Sequence, residues 1–251
     1  MERNETKMDK KVIVITGGDG KIARAIVEKY LNNDNKVIAI DRKENTDKRE
    51  FLNNKNYEYY QADVTNAKEL MKIKEKIENK EGKITHLISA AGCPVQAEVE
   101  GLENATIEEI DASIKLNLNA HIYCTKIFLP LLEKETSKNK SIVMISSVNA
   151  LRGFDLPAYS AGKAGIFGFM KAMTKELAKK QIRMNVISPG TTATEEEIAS
   201  GSKFVNYKYK AMIPLGEFTQ TTDIADATFA ITHITKAVTG QNLIVDSGQT
   251  V

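Results

Sequence analysis

Val12-Ile13-Val14-Ile15-Thr16-Gly17-Gly18-Asp19-Gly20-Lys21-Ile22-Ala23 is a β-branched run that stops at glycines and passes straight into a helical pattern. It reads as a strand, a tight turn and a helix. A strand that is apolar at every position is covered on both faces, as in parallel sheets flanked by helices. Glycines let the backbone turn sharply and approach a pyrophosphate, which then meets free N–H groups at the positive end of the helix. Gly18-x-Gly20-x-x-Ala23 has the spacing of a dinucleotide fingerprint, with a small last residue where helix and strand pack closely. The plain alternative is a tight turn without a ligand. The position between a first strand and a first helix favours the phosphate cradle.

The same alternation continues along the chain. Val37–Ile40, Leu87–Ala90, Ile142–Ile145, Met184–Ile187 and Leu243–Val245 read as further strands, and Tyr57–Tyr60 as a weaker one. Amphipathic stretches lie between them at 21–32, 66–79, 105–133, 157–179 and 222–235. This order predicts an α/β fold: a Rossmann-type, doubly wound parallel sheet of about seven strands with right-handed crossovers. Neither a repeat nor a Pro/Gly linker divides the chain. Residues 1–10 read as a polar tail and 11–251 as a single dinucleotide-binding catalytic domain, with a polar surface connection over 43–56.

Composition sets limits on partners. With 35 basic and 33 acidic residues the net charge is +2, so neither nucleic acid nor an anionic membrane is an expected partner. No apolar run approaches the roughly 20 residues of a membrane span, and the polar start lacks the apolar core of a secretion signal. Two cysteines, Cys93 and Cys124, suit a reducing cytoplasm rather than a disulfide framework.

Two features point to chemistry. Tyr159 and Lys163 are four apart on a predicted helix, so they share one face with Cβ atoms about 5–6 Å apart. An ammonium held there favours the phenolate and lowers the tyrosine pKa. A serine from the preceding strand, in Ile145-Ser146-Ser147-Val148, can hydrogen-bond a substrate oxygen. The plain reading of Tyr-x-x-x-Lys is a surface tyrosine and a solvated lysine; the surrounding pattern argues against it. The second feature is Asp41, which ends the second strand about twenty residues beyond the glycines. A carboxylate there accepts from an adenosine ribose and repels a 2′-phosphate, favouring NAD over NADP. Lys21 and Arg42 are nearby cations that would hold a 2′-phosphate if they turned inward. Asp63, followed by Val64, is placed to accept from an adenine amino group or to start a helical turn.

These residues resemble the short-chain dehydrogenase/reductase family, and the resemblance spans Lys11 to Val251. The family's Thr-Gly-x-x-x-Gly-x-Gly appears as Thr16-Gly17-Gly18-Asp19-Gly20-Lys21-Ile22-Ala23, with Lys21 and Ala23 where glycines usually stand. The Asn-Asn-Ala-Gly motif appears as Ser89-Ala90-Ala91-Gly92, beside the cofactor and stabilising the central sheet. By this resemblance Asn117 bends a helix and holds a water that links the lysine to solvent. Tyr159 is the acid/base, Lys163 its partner and a grip on the nicotinamide ribose, and a serine orients the reacting oxygen. Motif alignment selects Ser147, spacing to the tyrosine selects Ser146, and adjacent strand residues face opposite ways; Ser147 is preferred. Pro189-Gly190 would face the nicotinamide, with Thr192 and Thr194 approaching the cofactor, and the substrate loop would cover about 191–218. Within it, Glu195–Glu197 reads as the start of a solvated helix.

The expected activity is NAD(H)-dependent hydride transfer between nicotinamide and the secondary alcohol or ketone of a small polar substrate. Reduction of a 3-oxoacyl thioester is the alternative within the fold, and a non-catalytic NAD-binding regulator the alternative outside catalysis. Apolar and small residues crowd helix 157–179, which together with the resemblance implies self-association as a homotetramer.

Overall fold

Alternate residues of β1 (Val12–Thr16) enter two different cores. Val14 joins one apolar cluster while Ile13 and Ile15 join the other, because successive side chains leave a strand on opposite faces. The computed structural model of the protein describes residues 11–43, 50–99, 101–201 and 207–251. The expected polar tail 1–10 and parts of the 43–56 connection and of the substrate loop lie outside the described residues.

After β1 the elements follow in chain order as α1 (Lys21–Leu31), β2 (Lys36–Asp41), β3 (Tyr57–Gln61), α2 (Ala67–Glu81) and β4 (His86–Ser89). Then come α3 (Gln96–Val99), α4 (Ile107–Ile114), α5 (Ala120–Glu133), β5 (Lys140–Ile145), α6 (Asn149–Arg152) and α7 (Pro157–Lys179). The chain closes with β6 (Ile182–Pro189), β7 (Thr192–Ala193), α8 (Glu195–Ala199), β8 (Thr219–Gln220), α9 (Thr221–Phe229) and β9 (Asn242–Val245). Seven strands form one parallel sheet in the order β3-β2-β1-β4-β5-β6-β9. The weakest of the expected strands, 57–60, is β3, at one edge of the sheet, with β9 at the other. The little pair β7–β8 stands apart, with β7 inside the expected substrate loop and β8 just beyond its end.

Helices α2, α5 and α7 cover one face through Leu70, Phe128 and Ile166 among others. Helices α1 and α9 cover the other through Ile26, Tyr30 and Ile224. β1 pairs with β2 on one side and β4 on the other, so the chain reverses its winding between β1 and β4. A crevice opens at such a switch point, beyond the carboxyl ends of the strands. The amphipathic stretch 105–133 is two helices rather than one, joined by a wide turn over Lys115–Asn119 in which the Ala120 amide reaches the Lys115 carbonyl. No described helix is long and apolar enough to cross a membrane.

All three histidines of the chain are buried: His86, His121 and His233. Burial holds His86 and His121 well below the usual imidazole range and His233 down to about 3, with nearby cations adding to the effect. The unfolded chain therefore binds protons below about pH 6.5 that the folded chain refuses. Stability should fall as pH drops through 6.5, by about 1.4 kcal/mol per pH unit for each histidine. Carboxylates begin to contribute only nearer pH 4.5, so the window between belongs to the histidines. Thermal midpoints measured between pH 7.5 and 5 should drop steadily; a flat profile there would contradict this description of the core.

Candidate active site

The loop after β1 is shaped by what lies behind it. Gly17 sits at φ +71°, and a Cβ there would come within 2.7 Å of the Ala91 backbone. Its carbonyl accepts the Gly20 amide at 2.8 Å, and the Gly18 amide bonds to the Ile40 carbonyl at 3.2 Å. The Thr16 hydroxyl accepts from the amides of Ala90 at 3.2 Å and Ala91 at 3.5 Å, tying the loop to the segment after β4. Gly20 precedes α1 without any side-chain cap, so the first amides of that helix are left for something else. In front lies a cleft of about 710 Å³, lined by Gly17, Gly20, Asp41, Arg42, Asp63, Val64, Ala90, Ala91 and Gly92 among others. The Asp41 carboxylate accepts from the amides of Asp19 at 3.0 Å and Lys43 at 3.2 Å. Asp63 accepts the Thr65 amide at 2.8 Å.

A buried polar cluster lies behind Gly92. Lys163 Nζ donates to the Ile145 carbonyl at 2.9 Å and stands 3.5 Å from His121 Nε2. Burial lowers the Lys163 amine from its ordinary value to about 7, with Cys93 nearby acting the other way. Its ammonium stands 5.8 Å from the centre of the Tyr159 ring. The phenol of Tyr159 is raised by burial, lowered by a hydrogen bond with Ser147, and raised further by Cys93. The simple pairing expected from sequence, in which lysine lowers tyrosine, is thus outweighed here by desolvation of both groups. Asn117 lies in the wide turn between α4 and α5, its Nδ2 donating to the carbonyls of Cys93 at 2.9 Å and Ser113 at 3.0 Å. Its Oδ1 is buried without a protein partner among the described residues.

The two serines separate cleanly. Ser146 donates to the Lys163 carbonyl at 2.9 Å, fastening α7 to the end of β5. Ser147 is the one that meets Tyr159, and its hydroxyl also accepts the Asn149 amide at 3.2 Å.

A family model described as short chain dehydrogenase matches residues 11–203. The chain belongs to the short-chain dehydrogenase family. Its members are oxidoreductases that act on CH–OH and C=O groups, and this chain is one of them. It is 31% identical to the 3-oxoacyl-(acyl-carrier-protein) reductase FabG of Thermotoga maritima, over 96% of this chain and 98% of that one. It is 30% identical to an acetoacetyl-CoA reductase of Acinetobacter, again over 96% and 98%. Among solved structures it resembles a short-chain dehydrogenase of Leptospira borgpetersenii with bound NAD+, at a TM-score of 0.84 and 30% identity, over 96% and 93% of the two chains.

Several residues singled out in the sequence stand elsewhere than on the cleft wall. Lys21, in a family glycine position, donates to the Thr192 carbonyl at 2.8 Å and pairs with Glu197 at 3.1 Å. It is committed to the segment after β6, away from Asp41, so of the two named cations only Arg42 lines the cleft. Glu197, expected in a solvated helix, is half-buried in that ion pair. The Thr194 hydroxyl caps α8 by accepting the Glu197 amide at 3.1 Å, and the Thr192 hydroxyl donates to the Gly190 carbonyl at 2.9 Å. Gly190 packs against Asp246, where a Cβ would come within 2.7 Å, and the Pro189 carbonyl accepts the Val148 amide at 3.0 Å. Ile22, the second residue of α1, is half-buried against the α1–α9 core. His121 lies one turn beyond Asn117 on the same face, and that polar spacing is the only mark it carries in the sequence.

Gly92 offers a direct check of this packing. A Cβ there would lie 2.6 Å from Lys163 Nζ and 2.8 Å from Asn117 Oδ1. Gly92→Ala should therefore cost about 1–3 kcal/mol in urea unfolding, as overpacked interiors do. An unchanged midpoint and slope would show that the two side chains do not converge at this point.

Proposed function

We propose that this protein is an NAD(H)-dependent oxidoreductase that interconverts the secondary alcohol and ketone of a small polar substrate. One observation carries the reading: Ser147, Tyr159 and Lys163 meet behind Gly92, at one side of a cleft whose other side holds the Asp41 carboxylate. The cleft fits a dinucleotide. Its volume falls in the range of about 300–1,000 Å³ common to small-molecule sites, uncapped helix amides face a phosphate position, and Gly17, where a Cβ would meet the Ala91 backbone, lets the loop lie close against the segment after β4. Residues 11–251 serve as one catalytic domain in this reading.

Asp41, Arg42, Asp63 and Val64 would hold the adenosine end, Gly17, Gly18 and Gly20 the pyrophosphate, and Ala90 to Gly92 the middle. Lys163 would hold the nicotinamide ribose. When bound, the dinucleotide supplies hydride transfer, which is its own chemistry. The chain supplies the proton. Ser147 donates to the reacting oxygen and Tyr159 passes a proton to it in reduction or takes one in oxidation. Lys163, near neutrality, exchanges protons with the phenol's surroundings, and the unpartnered Asn117 Oδ1 is suited to a water that reaches solvent.

A second reading within the family is reduction of a 3-oxoacyl thioester, favoured by the names of the two curated relatives. Arg42 beside Asp41 would then hold a 2′-phosphate. Self-association as a homotetramer belongs to the proposal; exposed Leu243 and Ile244 on the edge strand β9 and half-buried Phe167 and Phe169 on α7 support it. The free thiols of Cys93 and Cys124 support a cytoplasmic setting.

Titration with NADH and NADPH by nicotinamide fluorescence tests the Asp41 reading. NADH should bind about tenfold tighter, or 1.4 kcal/mol; tighter NADPH would move selection to Arg42 and the thioester reading to the front. Tyr159→Phe should bind dinucleotide nearly as the parent does and lose turnover by at least about two decades. Preserved turnover in that variant would remove Tyr159 from the mechanism.

A further inference from the structure

Helix α7, which carries Tyr159 and Lys163, begins without a side-chain cap of its own. Pro157 takes its first position and has no amide to donate. The residue in the cap position is Leu156, in the left-handed region at φ 56° and without any side-chain acceptor. The next amides, those of Ala158 and Tyr159, would be left unpaired in a buried place. A carboxylate from another element fills the gap. Glu98 of α3 is 2% exposed, and its Oε2 accepts from the Ala158 amide at 2.7 Å and the Tyr159 amide at 3.0 Å. Its other oxygen, Oε1, is buried without a partner among the described residues. Burying a carboxylate is costly unless strong hydrogen bonds answer it. Here two amides and the positive end of a 23-residue helix do so.

The segment that carries Glu98 also touches the other end of the Tyr-x-x-x-Lys pair. It starts at Gly92, which lies against the tips of Lys163 and Asn117, and the Cys93 carbonyl accepts from Asn117. It ends at Glu98, on the backbone of Tyr159 itself. One strap thus braces both residues. We propose that Glu98 is a positioning residue for Tyr159: its carboxylate fixes the first turn of α7 and so holds the phenol against Ser147. The proposal rests on the role of Tyr159 given above.

Two substitutions divide reach from charge. Glu98→Gln keeps an oxygen at the same distance and removes the charge; Glu98→Asp keeps the charge and is one methylene too short to meet both amides. Two measurements read the result without any substrate. The first is amide hydrogen exchange over residues 158–163. The second is the ultraviolet titration of the Tyr159 phenol, isolated by subtracting Tyr159→Phe; the groups facing that phenol are Ser147, Lys163 and Cys93. Glu98→Asp should exchange about tenfold faster in that turn, and its phenol should titrate at lower pH as it loses burial. Glu98→Gln should stay close to the parent in both. With any ketone that the parent reduces, Glu98→Asp should lower kcat and leave NADH affinity unchanged. If Glu98→Asp matches the parent, or if Glu98→Gln is the variant that departs from it, the proposal is overturned. Because neither measurement needs turnover, it can fail while the acid/base role of Tyr159 stands, and the reverse.

Discussion

The Lys163 ammonium is buried with no carboxylate paired to it among the described residues, and the rest of the site is arranged around that fact. Desolvation would ordinarily discharge such a group. Around it stand acceptors without a full charge, namely the Ile145 carbonyl at the end of β5, the His121 ring on α5 and the face of Tyr159 one turn earlier, while Cys93 nearby opposes the loss of its proton. The amine therefore stays close to the point at which it gains or loses a proton near neutral pH. An ion pair with aspartate or glutamate would have fixed it as a permanent cation. Neutral packing leaves it as a group that can trade a proton.

The sheet explains why these parts meet. β4 and β5 are neighbours and both end at the crevice, so the segment after β4 brings Gly92 and Cys93, and the end of β5 brings Ile145 to Ser147, to one place. Helix α7 crosses behind them, fastened by Ser146 to the strand and by Glu98 at its start. The wide turn between α4 and α5 swings Asn117 inward, and its side chain reaches back to both Ser113 and Cys93. β1 and β2 supply the opposite wall, ending in the glycine loop and Asp41. The Tyr159–Lys163 cluster and the glycine loop with Asp41 are therefore on either side of the switch between β1 and β4.

Much of this was legible from sequence because it rests on local periodicity. β-branched runs buried on both faces gave the strands, and four-residue spacing put Tyr159 and Lys163 on one face. What stayed hidden depends on distant contacts. Nothing in its neighbourhood marks Glu98 in the sequence, and only the folded chain shows that α7 lacks a cap of its own. Lys21 beside the glycines suggested a phosphate contact, yet its length lets it cross to Thr192 and Glu197. The serine question could not be closed by spacing, since both hydroxyls meet α7; the fold gives Ser146 a backbone carbonyl and Ser147 the phenol. Lysine and tyrosine four apart suggested a lowered phenol, but burial acts on both partners and reverses the expected balance.

The most direct measurement is the titration of Lys163 itself, followed by nitrogen NMR of the lysine side chains in the parent and in Lys163→Met. A buried, unpaired amine predicts one lysine resonance that titrates at about 7 and disappears in the variant. If every lysine instead titrates in the ordinary range, about 10 or above, Lys163 is either solvated or paired, and the neutral ring of acceptors does not tune it.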